Sequence, residues 1–131
     1  MHTSVGAIIK NEKNEILLID RVKIPYGWAG PAGHADEEES PEEALKREIR
    51  EEVCLDIIKF HKLFHEFIPW NNCSRHQGHD WFLYEVIKWQ GEAQKNDKEA
   101  KGMQWVKIED LKNLKLEEVW QYWFEKLNYI K

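Results

Sequence analysis

Residues 33–55 read GHADEEESPEEALKREIREEVCL, and this stretch contains the start, the body and the end of one helix. Ser40 can cap the first turn, Pro41 fits the first helical position because no donor is needed there, and Glu43 can reach back to the cap. Apolar residues then recur at three- and four-residue steps, so one side of the helix is predicted to pack inward. The stripe consists of Ala44, Leu45, Ile49 and Val53.

Three glutamates gather on another surface of the same helix. Glu48, Glu51 and Glu52 stand at i, i+3 and i+4, which brings their side chains together. Like charges one turn apart cost roughly 0.2–0.5 kcal/mol, and anions near a helix C-terminus are disfavoured by roughly 0.3–1 kcal/mol. Two interpretations are open: a solvated acidic face, or a site for Mg²⁺ or Mn²⁺, which select carboxylate oxygens.

The spacing of the surrounding residues favours the metal site. A glycine, a glutamate, an Arg-Glu pair and a Glu-Glu pair follow one another with five, seven and two residues between them. This order and spacing resemble the Nudix box, the motif of a hydrolase family. Cys54 departs from the consensus, which has glycine there. The matching residues are Gly33, Glu39, Arg47, Glu48, Glu51 and Glu52.

The resemblance implies a set of metal ligands. Glu48 and Glu52 would bind the ion directly, and Glu51 would bind directly or through water. Gly33 is free to take φ > 0 and would turn its carbonyl toward the metal, as the family does. Glu99, six residues before Trp105, would complete the metal shell from a loop across the cleft, as in MutT-type members, although alone it reads as a surface acid.

Other box residues have supporting roles in the same resemblance. Arg47 would orient a box glutamate by a charge-assisted hydrogen bond, and Glu39 would brace the loop. The general base stays open among Glu48, Glu51 and Glu99, because the family is not uniform about it.

Two residues depart from the family pattern. Cys54 stands where a left-handed conformation favours glycine, at a cost on the order of 1 kcal/mol. We expect the helix to end slightly differently there, without lost chemistry. Ala32 replaces the middle residue of the usual Pro-Gly-Gly, which affects the local backbone rather than the ligands.

Composition bounds the class of protein. The chain has 131 residues, 42% hydrophobic and 33% charged, and we interpret it as a single domain, residues 1–131. Its net charge of −5 argues against a nucleic-acid or anionic membrane partner. We find no membrane span and no secretory signal, and the two cysteines are expected to be free thiols in a reducing cytoplasm rather than a pair.

Hydrophobic patterning predicts strands on both sides of the box helix. Residues 3–10 and 15–22 are predicted to form a β-hairpin about the turn at residues 11–14. We expect further strands at 55–68, 80–89 (central) and 102–108, loops at 23–29, 69–79 and 91–101, and a helical turn at 109–111. A C-terminal amphipathic helix is predicted from apolar residues recurring between Leu116 and Ile130.

This alternation predicts an α/β domain with a mixed sheet. It fits the Nudix fold, in which helices flank such a sheet in an α/β/α sandwich. The opening VGAIIKNEKNEILL, residues 5–18, is similar to MutT-type members.

Aromatic residues and histidines offer further candidates. Tyr26, Trp28 and Trp70 are the best candidates to stack on a nucleobase, with packing the alternative for each. The remaining tryptophans are expected in the core, or for Trp120 and Trp123 also at a homodimer surface. Histidines at 61, 65, 76 and 79 with Cys73 match no standard zinc spacing, and a solvated loop is the preferred interpretation.

The sequence therefore predicts a Mg²⁺- or Mn²⁺-dependent pyrophosphohydrolase that acts on a nucleoside diphosphate linked to another group. A MutT-like nucleoside triphosphate pyrophosphatase is the first choice. ADP-ribose or another NDP-sugar is the alternative substrate, since Pro69 lies near where ADP-ribose-cleaving members carry a proline. A Nudix module that senses a nucleotide without cleaving it is the alternative from another class.

Overall fold

Most of the secondary structure of the described residues is β-strand. The computed structural model describes residues 2–72 and 77–131. A short 3₁₀ helix, Ile108–Asn113, follows the last strand. The elements of the described residues are β1 Thr3–Ile9, β2 Glu15–Arg21, β3 Gly27–Ala29, β4 Ala32–His34, α1 Pro41–Val53, β5 Asp56–Asn72, β6 Gln77–Gln90, β7 Ala100–Lys107 and α2 Glu118–Lys126.

The strands form two sheets, in the orders β4-β1-β6-β5 and β3-β2-β7. β1 and β6 run parallel, whereas β1–β4 and β5–β6 are antiparallel, so the larger sheet is mixed as predicted. The predicted hairpin of β1 with β2 is wrong, because these strands belong to different sheets. Asn11 still forms the turn, accepting from the N–H groups of Lys13 and Glu15, and a single bridge joins Lys10 to Ile16. Turn chemistry predicted the reversal, but each apolar strand then found other partners.

Helices cover both faces of the strands. One core cluster joins alternate residues of β1 and β2, such as Val5 and Leu17, to the apolar stripe of α1. The other joins the opposite faces of the same strands, such as Ile8 and Leu18, to Trp120 and its neighbours on α2. The structure therefore confirms the α/β architecture flanked by helices, because apolar residues on both faces of a strand need a cover on each side.

The termini of α1 follow the sequence signals. Ser40 Oγ accepts from the Glu43 N–H at 3.1 Å, and Glu43 Oε1 accepts from the Ser40 N–H at 2.9 Å, so the capping box is complete. At the other end, Cys54 itself adopts the left-handed conformation, with φ 62° and ψ 29°. The cysteine therefore takes the geometry that a glycine would take, rather than ending the helix in another way.

Several predicted boundaries shift. The predicted loop at 69–79 is largely strand, since β5 continues to Asn72 and β6 begins at Gln77; Cys73 and His76 lie outside the described residues. The loop at 23–29 contains β3, and α2 is shorter than its apolar pattern. β6 is an interior strand, as predicted. Within the described residues, no helix is both long and apolar enough to span a bilayer.

Candidate active site

A cavity of about 980 Å³ opens beside the box glutamates. It is bordered by the ends of β1, β2, β4 and β6, by the face of α1 that carries the glutamates, and by the loop before β7. Each predicted metal ligand borders it, so the structure brings together residues 66 positions apart in the chain. These residues are Gly33, Glu48, Glu51, Glu52 and Glu99.

Two of the three helix glutamates are largely buried. Glu52 is only 5% exposed, and its Oε1 accepts a hydrogen bond of 2.9 Å from the Ala32 N–H. The Glu48 side chain is 14% exposed, whereas that of Glu51 is 54% exposed. The cluster is therefore no solvated acidic face, because water reaches only Glu51 freely.

Arg47 links α1 to the loop and strand beside the cavity through several hydrogen bonds. Its Nε and Nη2 donate to the two oxygens of Glu39 at 2.7 and 2.8 Å, and Nη1 donates to Glu48 at 2.8 Å. Nη2 also donates to the His34 carbonyl at 2.9 Å, which ties α1 to the end of β4. Glu39 in turn accepts from the Asp36 N–H at 2.9 Å. Arg47 thus contacts both Glu48 and Glu39, and Glu39 contacts the loop backbone, which are the contacts that the implied roles of positioning and bracing need.

Burial is the main cause of the shifted pKa values of Glu48 and Glu52. It raises the pKa of Glu48 to about 7 and that of Glu52 to about 8. For Glu48 the hydrogen bond from Arg47 opposes the rise in pKa, and for Glu52 the bond from Ala32 does so. By contrast, the hydrogen bonds from Arg47 lower the pKa of Glu39 to about 2. Two buried acids that share one cavity make a site in which negative charge is costly unless a cation accompanies it.

The structural reason for a glycine at position 33 differs from the predicted one. Its φ is not positive, since the positive-φ glycines of the described chain are Gly27, Gly78 and Gly91. Instead, a Cβ at position 33 would overlap the carboxyl group of Glu48. Glycine is needed there because the Glu48 carboxylate occupies the space of a side chain, which corrects the conformational argument.

Glu99 reaches the cavity from the opposite side. Its carbonyl accepts from the Val22 N–H at 3.1 Å, and its Oε1 accepts from Lys23 Nζ at 3.1 Å. The negative charge of Glu99 also contributes to the raised pKa of both Glu48 and Glu52. The loop before β7 therefore brings a further carboxylate close to the helix cluster.

The three aromatic candidates lie in different places. Tyr26 borders the cavity and is 61% exposed. Trp28 does not border it, because its side chain packs against the core near α2. Trp70 also lies elsewhere and makes an edge contact with Tyr122, with ring centroids 5.4 Å apart. Of these three aromatic residues, Tyr26 alone borders the cavity.

Three polar residues of the cavity carry no signal in the sequence: Arg21, Asn96 and Glu117. Arg21 donates from Nε to the Pro25 carbonyl at 2.8 Å, and its charge lowers the pKa of both Glu52 and Glu117. Glu117 is 5% exposed, and burial raises its pKa to about 7. The Glu117-Glu118 pair reads as surface charge in sequence, but Glu117 precedes α2 and its N–H donates to the Trp28 carbonyl at 2.9 Å, which draws it inward.

Comparison with known proteins identifies the class to which this fold and site belong. The model of the NUDIX domain family matches residues 1–127, which is nearly the whole chain. The chain therefore belongs to the Nudix hydrolase family, as the box predicted.

Sequence relatives match mainly over part of their length. The 8-oxo-dGDP phosphatase NUDT18 of Danio rerio is 50% identical over 54 residues, 40% of this chain and 17% of that protein. The RNA pyrophosphohydrolase of a Nitratiruptor species is 37% identical over 72 residues, 52% of this chain and 46% of that protein. The matches thus span less than half of these relatives.

Solved structures match over almost the entire fold. The MutT NUDIX hydrolase from Burkholderia pseudomallei superposes with a TM-score of 0.83 at 24% identity, over 95% of each chain. The NUDIX domain of Shewanella oneidensis NrtR, solved with ADP ribose, gives a TM-score of 0.77 at 19% identity over 96% of this chain and 85% of that one. At these identities the likeness establishes the fold alone.

Proposed function

We propose that this chain is a divalent-metal-dependent pyrophosphohydrolase that cleaves a nucleoside diphosphate linked to another group, with a nucleoside triphosphate as the favoured substrate. The observation that carries the proposal is the burial of Glu48 and Glu52 beside a cavity large enough for a nucleotide. Family membership supplies the reaction class, and the complete set of box glutamates supports catalysis rather than sensing alone.

The charge of the cavity supports a requirement for a cation. Among the described residues, six Asp or Glu side chains border it, against two Arg or Lys side chains, Arg21 and Lys23. A polyphosphate would be repelled by such a wall. A divalent cation held by Glu48, Glu51, Glu52 and Glu99 fits this donor set, because Mg²⁺ and Mn²⁺ favour carboxylate oxygens. When bound, such an ion neutralises the diphosphate, polarises phosphorus and lowers the pKa of an attacking water.

The protein's own groups perform the remaining steps. Arg47 keeps the Glu48 carboxylate aimed at the cavity without bordering the cavity itself. Glu48, Glu51 and Glu99 are the carboxylates able to accept the proton of the attacking water. Arg21 is placed to attract a phosphate, and Tyr26 to cover a base.

A panel of candidate substrates distinguishes the favoured triphosphate from the other substrates and an enzyme from a sensor. Purified protein is incubated with Mg²⁺ or Mn²⁺ and nucleoside triphosphates, oxidised guanine nucleotides, ADP-ribose, NDP-sugars or 5′-triphosphorylated RNA, and the products are identified. We expect a nucleoside monophosphate and pyrophosphate from the favoured triphosphate, and no turnover in EDTA. Release of a sugar phosphate instead identifies the ADP-ribose or NDP-sugar alternative, and tight binding without turnover identifies a sensor.

Glu52→Gln tests the site itself. We expect the rate to fall at least about tenfold, equivalent to about 1.4 kcal/mol of transition-state stabilisation. Glu12→Gln is the matched control, because Glu12 is an exposed glutamate in the turn between β1 and β2. A Glu52→Gln variant as active as the Glu12→Gln variant removes Glu52 from the reaction.

A further inference from the structure

Three histidines from separate parts of the chain meet at one end of the larger sheet. The parallel register of β1 with β6 aligns Thr3 with Asp80, so His2 lies beside His79. The antiparallel register of β1 with β4 aligns Ser4 with His34, which brings a third ring to the same face. Ring centroids lie 3.9 Å apart for His2–His34, 5.1 Å for His34–His79 and 5.3 Å for His2–His79.

The three rings offer a set of nitrogen ligands. Each supplies a ligand atom, and these atoms all lie within 4.8 Å of one another. Ligand nitrogens around a tetrahedral Zn²⁺ with bonds of about 2.0–2.1 Å are about 3.3 Å apart. The His79 ring is stacked on the other two, with interplanar angles of 15° and 25°, so the rings of His2 and His34 must turn for the three nitrogens to converge on one ion.

His79 carries a feature of metal-binding histidines. Its Nδ1 lies 2.7 Å from the Asn71 carbonyl, and because a carbonyl only accepts, Nδ1 is the donor. In a neutral ring the lone pair then resides on Nε2, the tautomer that such an outer hydrogen bond selects at metal sites. Asn71 is itself fixed, since its Oδ1 accepts from Trp81 Nε1 at 2.7 Å. His79 is 2% exposed and Asn71 7%, so this hydrogen bond is shielded from solvent.

We propose that His2, His34 and His79 form a second metal site, selective for Zn²⁺ or a similar borderline ion. Imidazole suits such ions, whereas the carboxylates of α1 suit Mg²⁺ and Mn²⁺. All three histidines border the same cavity as the box glutamates. Three protein ligands leave a coordination position of a tetrahedral ion for water or for a donor atom of a bound ligand. The proposal stands independently of the hydrolytic reaction proposed above.

The test follows the imidazole nitrogens directly. Metal-free ¹⁵N-labelled protein is titrated with Zn²⁺ in excess Mg²⁺, which competes for the carboxylate ligands. We expect the ring nitrogen signals of His2, His34 and His79 to shift together at one equivalent of Zn²⁺. His61 and His65 should not shift with them, because both are exposed and pair elsewhere: His65 pairs with Asp80 on the opposite face of β6, and His61 pairs with Glu85, six residues farther along β6 than His79. Unshifted signals for the three rings overturn the proposal.

Zn²⁺ affinity is compared between the wild type, a variant within the histidine cluster and a control variant outside it. We expect His34→Gln to weaken Zn²⁺ binding at least tenfold in a competition with a chromophoric chelator, while His61→Gln stays within twofold of the wild type. Equal affinity in His34→Gln and the wild type contradicts the site. If inorganic phosphate shifts the three rings and Zn²⁺ does not, the cluster is an anion site and the proposal is wrong. Should His34→Gln fail to fold by circular dichroism, the wild-type nitrogen shifts decide alone.

Discussion

The backbone N–H of Ala32 donates a hydrogen bond of 2.9 Å to Oε1 of Glu52, twenty residues later in the chain. The bond joins β4 to the last turn of α1 and fixes the most buried carboxylate of the site. Position 32 is where the sequence departs from the family's glycine, yet the interaction is unaffected because the backbone supplies the donor. The alanine at position 32 is therefore compatible with the observed position of the Glu52 carboxylate.

Replacing Glu52 should stabilise the metal-free protein at high pH. The pKa of Glu52 in the folded state is about 8, above its ordinary value of 4.5, so its contribution to stability is full below about pH 4.5 and is lost as pH rises to 8. Glu52→Gln removes this loss and keeps an oxygen for the Ala32 N–H. We expect a gain of at least about 1.4 kcal/mol at pH 8.5, the free energy of a tenfold change in ionisation constant. Melting temperatures in EDTA measure it, with a rise of about 3 °C or more.

The pH dependence distinguishes this effect from general stabilisation. At pH 4, where the Glu52 carboxyl is mostly protonated in both the folded and the unfolded protein, Glu52→Gln and the wild type should melt within about a degree of each other. Glu12→Gln, at an exposed position, should show no difference at either pH. An equal gain at both pH values would mean that ionisation of Glu52 is not its cause.

Arg47→Lys should lower catalysis without loss of substrate affinity. A lysine offers a single point of charge and cannot donate to both oxygens of Glu39 while also holding Glu48. We expect kcat to fall about tenfold or more with KM within about twofold, because Arg47 does not border the cavity.

Arg50→Lys is the matched control for Arg47→Lys on the same helix. Arg50 pairs with Asp56 at the surface, where an ion pair contributes about 0–1 kcal/mol. We expect its kinetics to equal those of the wild type. A parallel drop in both variants would indicate a general effect on α1 rather than the positioning of Glu48.

Local signals predicted the helix that carries the site. The capping residues, the apolar stripe and the glutamates of α1 are determined by neighbours within a few positions, so spacing alone revealed them. The pairing of β1 was missed because a strand that is apolar on both faces is compatible with many partners, and sequence does not rank them. The strands divide into two sheets for the same reason, because β1 pairs with β4 and β6 and not with β2, its neighbour in the sequence.

Residues brought in from far along the chain escaped prediction for the same reason. Glu117 and Arg21 reach the cavity only because α2 begins there and β2 ends there, and nothing in the neighbouring sequence marks them. The cluster of His2, His34 and His79 depends on the registers of three strands. The predicted reason for a glycine at position 33, a positive φ, was wrong, because the space that the Glu48 carboxyl group fills is visible only in three dimensions.

Gly33→Ala should lower the catalytic rate while the protein still folds. The new methyl group would overlap the carboxyl group of Glu48, so this side chain must turn away from Arg47. A flexible side chain can move without unfolding the chain, and we expect the melting temperature to fall only slightly. The rate should fall at least about tenfold.

Ala32→Gly is the partner variant in the same strand. It restores the family's usual glycine and keeps the N–H that binds Glu52, so the rate should equal that of the wild type. Its stability should fall by about 0.5–1 kcal/mol, the entropic cost of glycine. Steady-state kinetics and melting curves of both variants check the pair, and full activity in Gly33→Ala would contradict the placement of Glu48.

Cys54→Gly should stabilise the protein without changing its activity. Cys54 holds φ 62° at the end of α1, a conformation that costs a residue with a Cβ about 1–2 kcal/mol and costs glycine almost nothing. Glycine loses more entropy on folding, so we expect a net gain of about 1 kcal/mol and a melting temperature higher by about 2–4 °C. Cys54→Ala is the control, because it removes the thiol but keeps the Cβ and should give no gain. If both variants melt alike, the left-handed conformation of residue 54 carries no strain.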